Sequence, residues 1–249
     1  MLELKEKLIK KIDYNLDIVR NLRPLSEIEL KELKKSLWVI FTYSSNAIEW
    51  NTLTLWETKL ILEDLLTIWW KTLREIDEAS NHRWLLNFLY EYLEWDIVFD
   101  TNLIKKVHYL VLKNIDDENA WEYRKIGCYI SWDEKIPPKA GELDLLMNEL
   151  ITWYDINLNK KHPSLFTSEF HYKFVKIHPF IDWNGRTIRI LLNMILMKKG
   201  YPMIIIPPVR RWEYIWSLNS NSSSENFILF MLDVINVNIE DYLRMINID

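Results

Sequence analysis

A chain of 249 residues suits one large domain or two small ones and is long enough to enclose a core. At 49% hydrophobic and 27% charged it is too apolar for a disordered polymer, and a formal net charge of −5 argues against a general nucleic-acid binder, which needs a basic surface. A single cysteine, Cys128, excludes a disulfide framework or zinc cluster and fits a reducing, cytoplasmic setting. No run approaches the ~20 apolar residues of a membrane span, and the start MLELKEKLIKK is too charged for a signal peptide.

In chain order, apolar residues at helical spacing predict helices over 2–22, 28–49, 56–68, 75–94, 102–115, 142–156, 165–177, 186–199 and 225–245. Lys198-Lys199-Gly200 followed by Tyr201-Pro202 is a helix stop, with cations at the negative end, then Gly, then a breaker. Strand signals are confined to Cys128–Ser131 and Met203–Ile206. An all-α fold follows, with residues 1–39 as an N-terminal helical extension to the main domain, 40–249.

One pair of counts is abnormal. The chain has 13 Trp and only 4 Gly, where about 17 Gly is usual at this length. Trp69-Trp70 lies where a paired-glycine turn is natural, and Trp183 sits between Asp182 and Asn184 in a tight polar loop. Some bacterial lineages read the codon UGA as glycine, whereas another translation table reads it as tryptophan. The hypothesis is that several Trp, Trp50 and Trp183 among them, stand at glycine positions. A UGG codon at 183 would end it.

The densest polar cluster runs from Lys176 to Arg189, where one apolar helix ends and another begins. A helix N-terminus offers free N–H groups and the positive dipole end, a seat for anions. Arg186 and Arg189, three apart, project from one side of the first turn, as a polyphosphate cradle requires. Asp182 supplies a hard oxygen for Mg2+, and His178 is the one group there able to take a proton near neutral pH.

The stretch His178-Pro-Phe180-Ile-Asp182-Trp-Asn184-Gly185-Arg186-Thr-Ile-Arg189 resembles the Fic family signature HxFx(D/E)GNGRxxR, departing from it at Trp183. Similarity extends over most of residues 40–235. The resemblance implies a Fic-type helical bundle with a small β-hairpin flap, binding ATP with Mg2+ and transferring AMP to a Ser, Thr or Tyr hydroxyl of a target protein. In that scheme His178 is the base, Phe180 holds the loop, and Asp182 positions Mg2+. The backbone around Trp183–Gly185 and the Asn184 side chain form the anion hole, while Arg186 and Arg189 grip the β- and γ-phosphates. Tyr129, Ile130 and Ser131 in the flap offer main-chain groups to the target by strand addition, and Tyr214 and Asn221 are candidates for adenine. Ser45-Asn-Ala-Ile-Glu49-Trp50 resembles the family's inhibitory pattern (S/T)xxxE(G/N) near residues 40–50, in which the glutamate pairs with the second arginine, here Arg189. Family members often dimerise, so a homodimer is open to this chain too.

Two rivals remain. One keeps the fold but transfers or removes another phosphate-containing group; the other is a catalytically dead interaction module, its cradle obstructed by a genuine Trp183. His82, His108 and His162 lack metal-ligand spacing and read as hydrogen-bonded or surface histidines.

Overall fold

Local sequence sets several of the helix starts. Ser26, Thr54 and Thr72 each accept a bond from the backbone N–H three residues on, and Glu29, Glu57 and Glu75 return it. These capping boxes open α2 (Glu27–Ile48), α3 (Leu55–Glu63) and α4 (Leu73–Glu94). Asp100 caps α5 (Thr101–Leu112), and Pro163 occupies the first turn of α7 (Pro163–Ile177), where its missing N–H costs nothing. The computed structural model describes residues 1–22 and 24–246, and adds to these α1 (Leu2–Asn21), α6 (Leu143–Asn157), α8 (Asn184–Lys198), α9 (Arg211–Leu218) and α10 (Ser224–Ile246).

Helix α8 is apolar or buried on nearly every side, the pattern of a central helix rather than a surface one. Around it pack α7, α5, α4 and α2, while α10 lies against α7 and α9. Phe166, Phe170 and Phe174 on α7 and Leu85, Leu86 and Leu89 on α4 are almost wholly excluded from solvent. The predicted N-terminal extension shares this core: α1 lies along α10, burying Ile12 and Leu16, with Asn15 donating to Asn236 at 3.2 Å. No helix among the described residues is long and apolar enough to cross a membrane.

Three features depart from the sequence reading. The eight-residue helix α9 was not predicted; it follows two prolines and is too short for periodicity to stand out. Helix α3 stops at Glu63, five residues before its predicted end. The expected hairpin is not formed, since no strand occurs among the described residues and 128–131 is irregular chain. Met203–Ile206 is extended but unpaired, because side-chain amides replace a partner strand. Asn193 exchanges two bonds with the backbone of Ile204 (2.7 and 2.9 Å), and Asn238 two with Ile205 (both 2.9 Å).

Backbone geometry bears on the tryptophan count. Among the described residues six non-glycine residues have positive φ, and three are Trp50 (φ 68°), Trp121 (φ 73°) and Trp183 (φ 58°). A left-handed residue with a Cβ costs about 1–2 kcal/mol, which glycine avoids. Trp50 ends α2 in a Schellman turn, with Trp50 N–H on Ala47 O and Asn51 N–H on Asn46 O. Gly200 (φ 82°) ends α8 with the same two bonds, to Met197 O and Leu196 O. Trp69 and Trp70 fill the middle of a tight turn closed by Lys71 N–H on Ile68 O at 3.0 Å.

Candidate active site

The loop from 178 to 183 is tied down by its own residues before any ligand enters. His178 caps α7 in the left-handed region (φ 50°), its N–H on Phe174 O. Phe180 is fully buried and stacks face to face on His108, ring centres 3.7 Å apart. Asn184 closes the loop across four residues, accepting from Phe180 N–H at 3.0 Å and donating to Phe180 O at 2.8 Å. The Asn184 side chain thus shapes the loop through its oxygen and one of its two amide hydrogens, while the residue lines the cavity. Asp182 takes the Trp183 N–H on one oxygen at 2.7 Å and lies 3.8 Å from Arg74 with the other.

Behind the loop, the first turn of α8 carries the two arginines. Arg189 donates Nη2 to Glu49 Oε1 and to Ser45 O, both 2.9 Å, and Nε to Ser45 Oγ at 3.0 Å. The Ser45 and Glu49 positions, one turn apart at the end of α2, thus meet a single guanidinium. Glu49 also crosses the N-terminus of α8: a Cβ built on Gly185 would collide with Glu49 Oε1 and stand 3.0 Å from Arg189 Nη1. A carboxylate therefore rests against the anion-binding end of the helix. Burial works to raise the Glu49 pKa, but Arg189, then Arg186 and Arg211, hold it below the ordinary carboxylate value.

Arg186 has its own partner, unforeseen in the sequence. Its Nη2 lies 3.0 Å from Glu78 Oε2 on α4, both side chains about 6% exposed. Glu78 is fixed in turn by Asn51 Nδ2 at 2.9 Å and Arg74 Nε at 3.3 Å. Buried donors remain unpaired on all three arginines here: Arg186 Nε, Arg189 Nη1 and Arg211 Nη1. Orphan cationic donors around a cavity are what a polyanion satisfies.

The cavity measures about 540 Å3, ligand-sized. His178, Asp182–Arg186, Glu49, Glu78, Arg211 and Tyr214 line it, together with Tyr129–Trp132. Tyr214, on the unpredicted α9, is buried with its hydroxyl 2.8 Å from His171 Nε2. Asn221 is outside the lining and exposed; the neighbouring Asn219 instead donates to Trp132 O. The indole of Trp183 is buried under Arg74, which lies 4.8 Å above its ring, and its Nε1 has no partner. Burial, then the Arg124 cation, pulls His178 down to about 4, against Val175 O and Glu49, so the imidazole is neutral near pH 7. Asp182, the metal candidate of the sequence, lines the cavity; Glu49 and Glu78 line it too but are paired with arginines, and no group of three His, Cys, Asp or Glu suited to a metal occurs among the described residues. One carboxylate suits Mg2+ held jointly with substrate phosphates.

Residues 98–196, which span this loop, α7 and most of α8, match the model of the Fic/DOC family. The chain carries a Fic/DOC domain. It is 33% identical over 221 residues to "Protein adenylyltransferase Fic" of Drosophila erecta, a match covering 88% of this chain and 44% of that protein. The chain thus spans less than half the length of that curated relative. Among solved structures, Fic-1 (residues 134–508) of C. elegans superposes with a TM-score of 0.88 at 28% identity, covering 97% of this chain and 72% of the other. A Fic-domain signalling protein of Bacteroides thetaiotaomicron shares the fold, with a TM-score of 0.83, 23% identity and 96% of each chain covered. Within the Fic domain, the motif's histidine, acid and two arginines are at hand in the sequence, whereas Glu78, Arg74, His108 and Arg211 are brought to the site by α4, α5 and α9 and carry no local signature.

Proposed function

We propose that this Fic protein transfers AMP from magnesium-bound ATP to a hydroxyl of a target protein in the cytoplasm, and that Glu49 restrains it. One observation carries the reading: a carboxylate lies against the N-terminus of α8 and on Arg189, with Arg186 three residues away and a neutral imidazole on the same cavity wall. The polyphosphate of ATP is the stronger anion for that seat. In the step itself the target oxygen bonds to the α-phosphorus, the α–β bridging bond breaks, and the hydroxyl proton passes to His178. Pyrophosphate leaves with its charge facing Arg186 and Arg189. Asp182 would hold the Mg2+, which neutralises phosphate charge when bound. General-base help of this kind is worth ~10²–10⁴ in rate.

The reading includes glycine at 50, 121 and 183 in the protein its own cell makes. Each is a left-handed position, and Trp183 also brings an indole to the cavity wall. That buried indole favours the second reading, a dead interaction module, if UGG encodes it. Calorimetry with MgATP separates the two, since an obstructed seat gives no binding. With glycine restored at the three positions, radiolabelled AMP should appear on protein hydroxyls and disappear in His178→Ala, which keeps MgATP binding. Undiminished labelling by that variant would remove His178 as the base.

A further inference from the structure

The segment between Arg124 and Pro138 has no strand ladder to fix its shape, so its backbone groups must be held by other means. Arg124 holds both of its ends. It is 4% exposed, and its guanidinium donates to three carbonyls: Ile126 O at 3.0 Å, Pro138 O at 2.5 Å and His178 O at 2.9 Å. Its own N–H donates to Pro179 O at 2.9 Å. The first two acceptors stand at the two ends of the flap, and the other two belong to the loop that carries the imidazole. Farther along the flap, Asp133 is gripped by Lys176 at 2.6 Å, from the last turn of α7, and by the Ser220 hydroxyl at 2.8 Å. The planar fork reaches the three carbonyls with three different nitrogens, Nε, Nη1 and Nη2, a fixed spread that the single nitrogen of an ammonium does not offer.

We propose that Arg124 is a positioning residue that locks both ends of the flap and the His178 backbone into one frame, so that a single side chain sets the distance from target hydroxyl to imidazole. This rests on reading the site as an AMP-transfer centre. It makes target capture and proton removal geometrically dependent: a flap that slips from Arg124 also loosens the left-handed His178. The charged groups facing the imidazole are Arg124 from the flap base and Glu49 from the end of α2. Of these, the guanidinium favours the neutral ring, so its loss moves the ring's titration up from about 4 toward the ordinary 6.5.

The test compares Arg124→Gln and Arg124→Lys in the full chain carrying glycine at 50, 121 and 183. Readouts are hydrogen exchange at 125–137, the NMR titration of the His178 imidazole, MgATP binding and, with Glu49→Gly, self-incorporation of AMP from α-labelled ATP. In Arg124→Gln, flap exchange should quicken about ten-fold while α7 and α8 keep their protection. The imidazole should titrate higher, MgATP binding should hold, and AMP incorporation should fall about a hundred-fold. Arg124→Lys should restore the titration, through its charge, but not the flap. If Arg124→Gln does not fold, faster flap exchange in Arg124→Lys still decides the matter. Unchanged flap exchange and imidazole titration in the folded variants overturn the proposal. Absence of AMP incorporation by Glu49→Gly with Arg124 intact would instead sink the transfer reading, leaving the exchange and titration arms to judge the frame.

Discussion

Arg186 and Arg189 stand one turn apart on α8, yet they meet their carboxylates in opposite surroundings. Glu78, facing Arg186, is about 6% exposed and is also bonded by Asn51 and Arg74. Glu49, facing Arg189, is 35% exposed, and Ser45 supplies Arg189 with two further acceptors. The first pair is a buried strut whose loss strands a charge. The second is a latch at the cavity wall, whose loss leaves the arginine still partly satisfied. Two identical chemical pairs in one helix turn therefore differ in burial and spare partners, as the proposed division into framework and control requires.

Mutation of the strut should show the largest effect. Glu78→Ala leaves Arg186 buried without its counter-charge and should cost about 3–5 kcal/mol in urea unfolding; a loss under about 1 kcal/mol would erase the distinction. Next comes acid. His82 is wholly buried, with both ring nitrogens unpaired, and burial, then Arg186 and Arg189, depress it to about 3. The unfolded chain takes up a proton near 6.5 and the folded one does not. Stability is thus complete above pH 6.5 and falls by about 1.4 kcal/mol per unit below it through this residue alone. His82→Phe should flatten that slope. Trp50→Gly, which relieves a left-handed position beside the latch, should stabilise the chain by about 1 kcal/mol. The smallest stability change belongs to Glu49→Gly, within about 1 kcal/mol because the pair is partly solvated. This is the variant that should raise AMP incorporation. Equal, robust labelling before and after it would remove the restraint.

The contrast also marks what a sequence exposes. The loop residues were legible because His178, Asp182, Arg186 and Arg189 lie within twelve positions on one helix start, and Ser45 and Glu49 because their spacing and context resemble the family's inhibitory pattern. Glu78, Arg124 and Arg211 were not, since each reaches the site across the fold from 54 or more residues away or from a helix too short to announce itself. His82 was expected to be hydrogen-bonded or exposed and is neither. The flap was expected to be a hairpin from the family resemblance, but an arginine and an aspartate replace the ladder such a hairpin brings. The tryptophans ran the other way: a count made them suspect, and torsion angles located three of them at positions that suit glycine.

Gly185 has no unusual torsion, so an alanine there would fit the helix well. What it permits is proximity, because the carboxylate of the latch lies in the space a single methyl group would fill. A one-carbon wedge at 185 would evict Glu49 mechanically while leaving every charge in the cavity as it was. The restraint proposed for Glu49 would accordingly depend on a missing atom as much as on an ion pair.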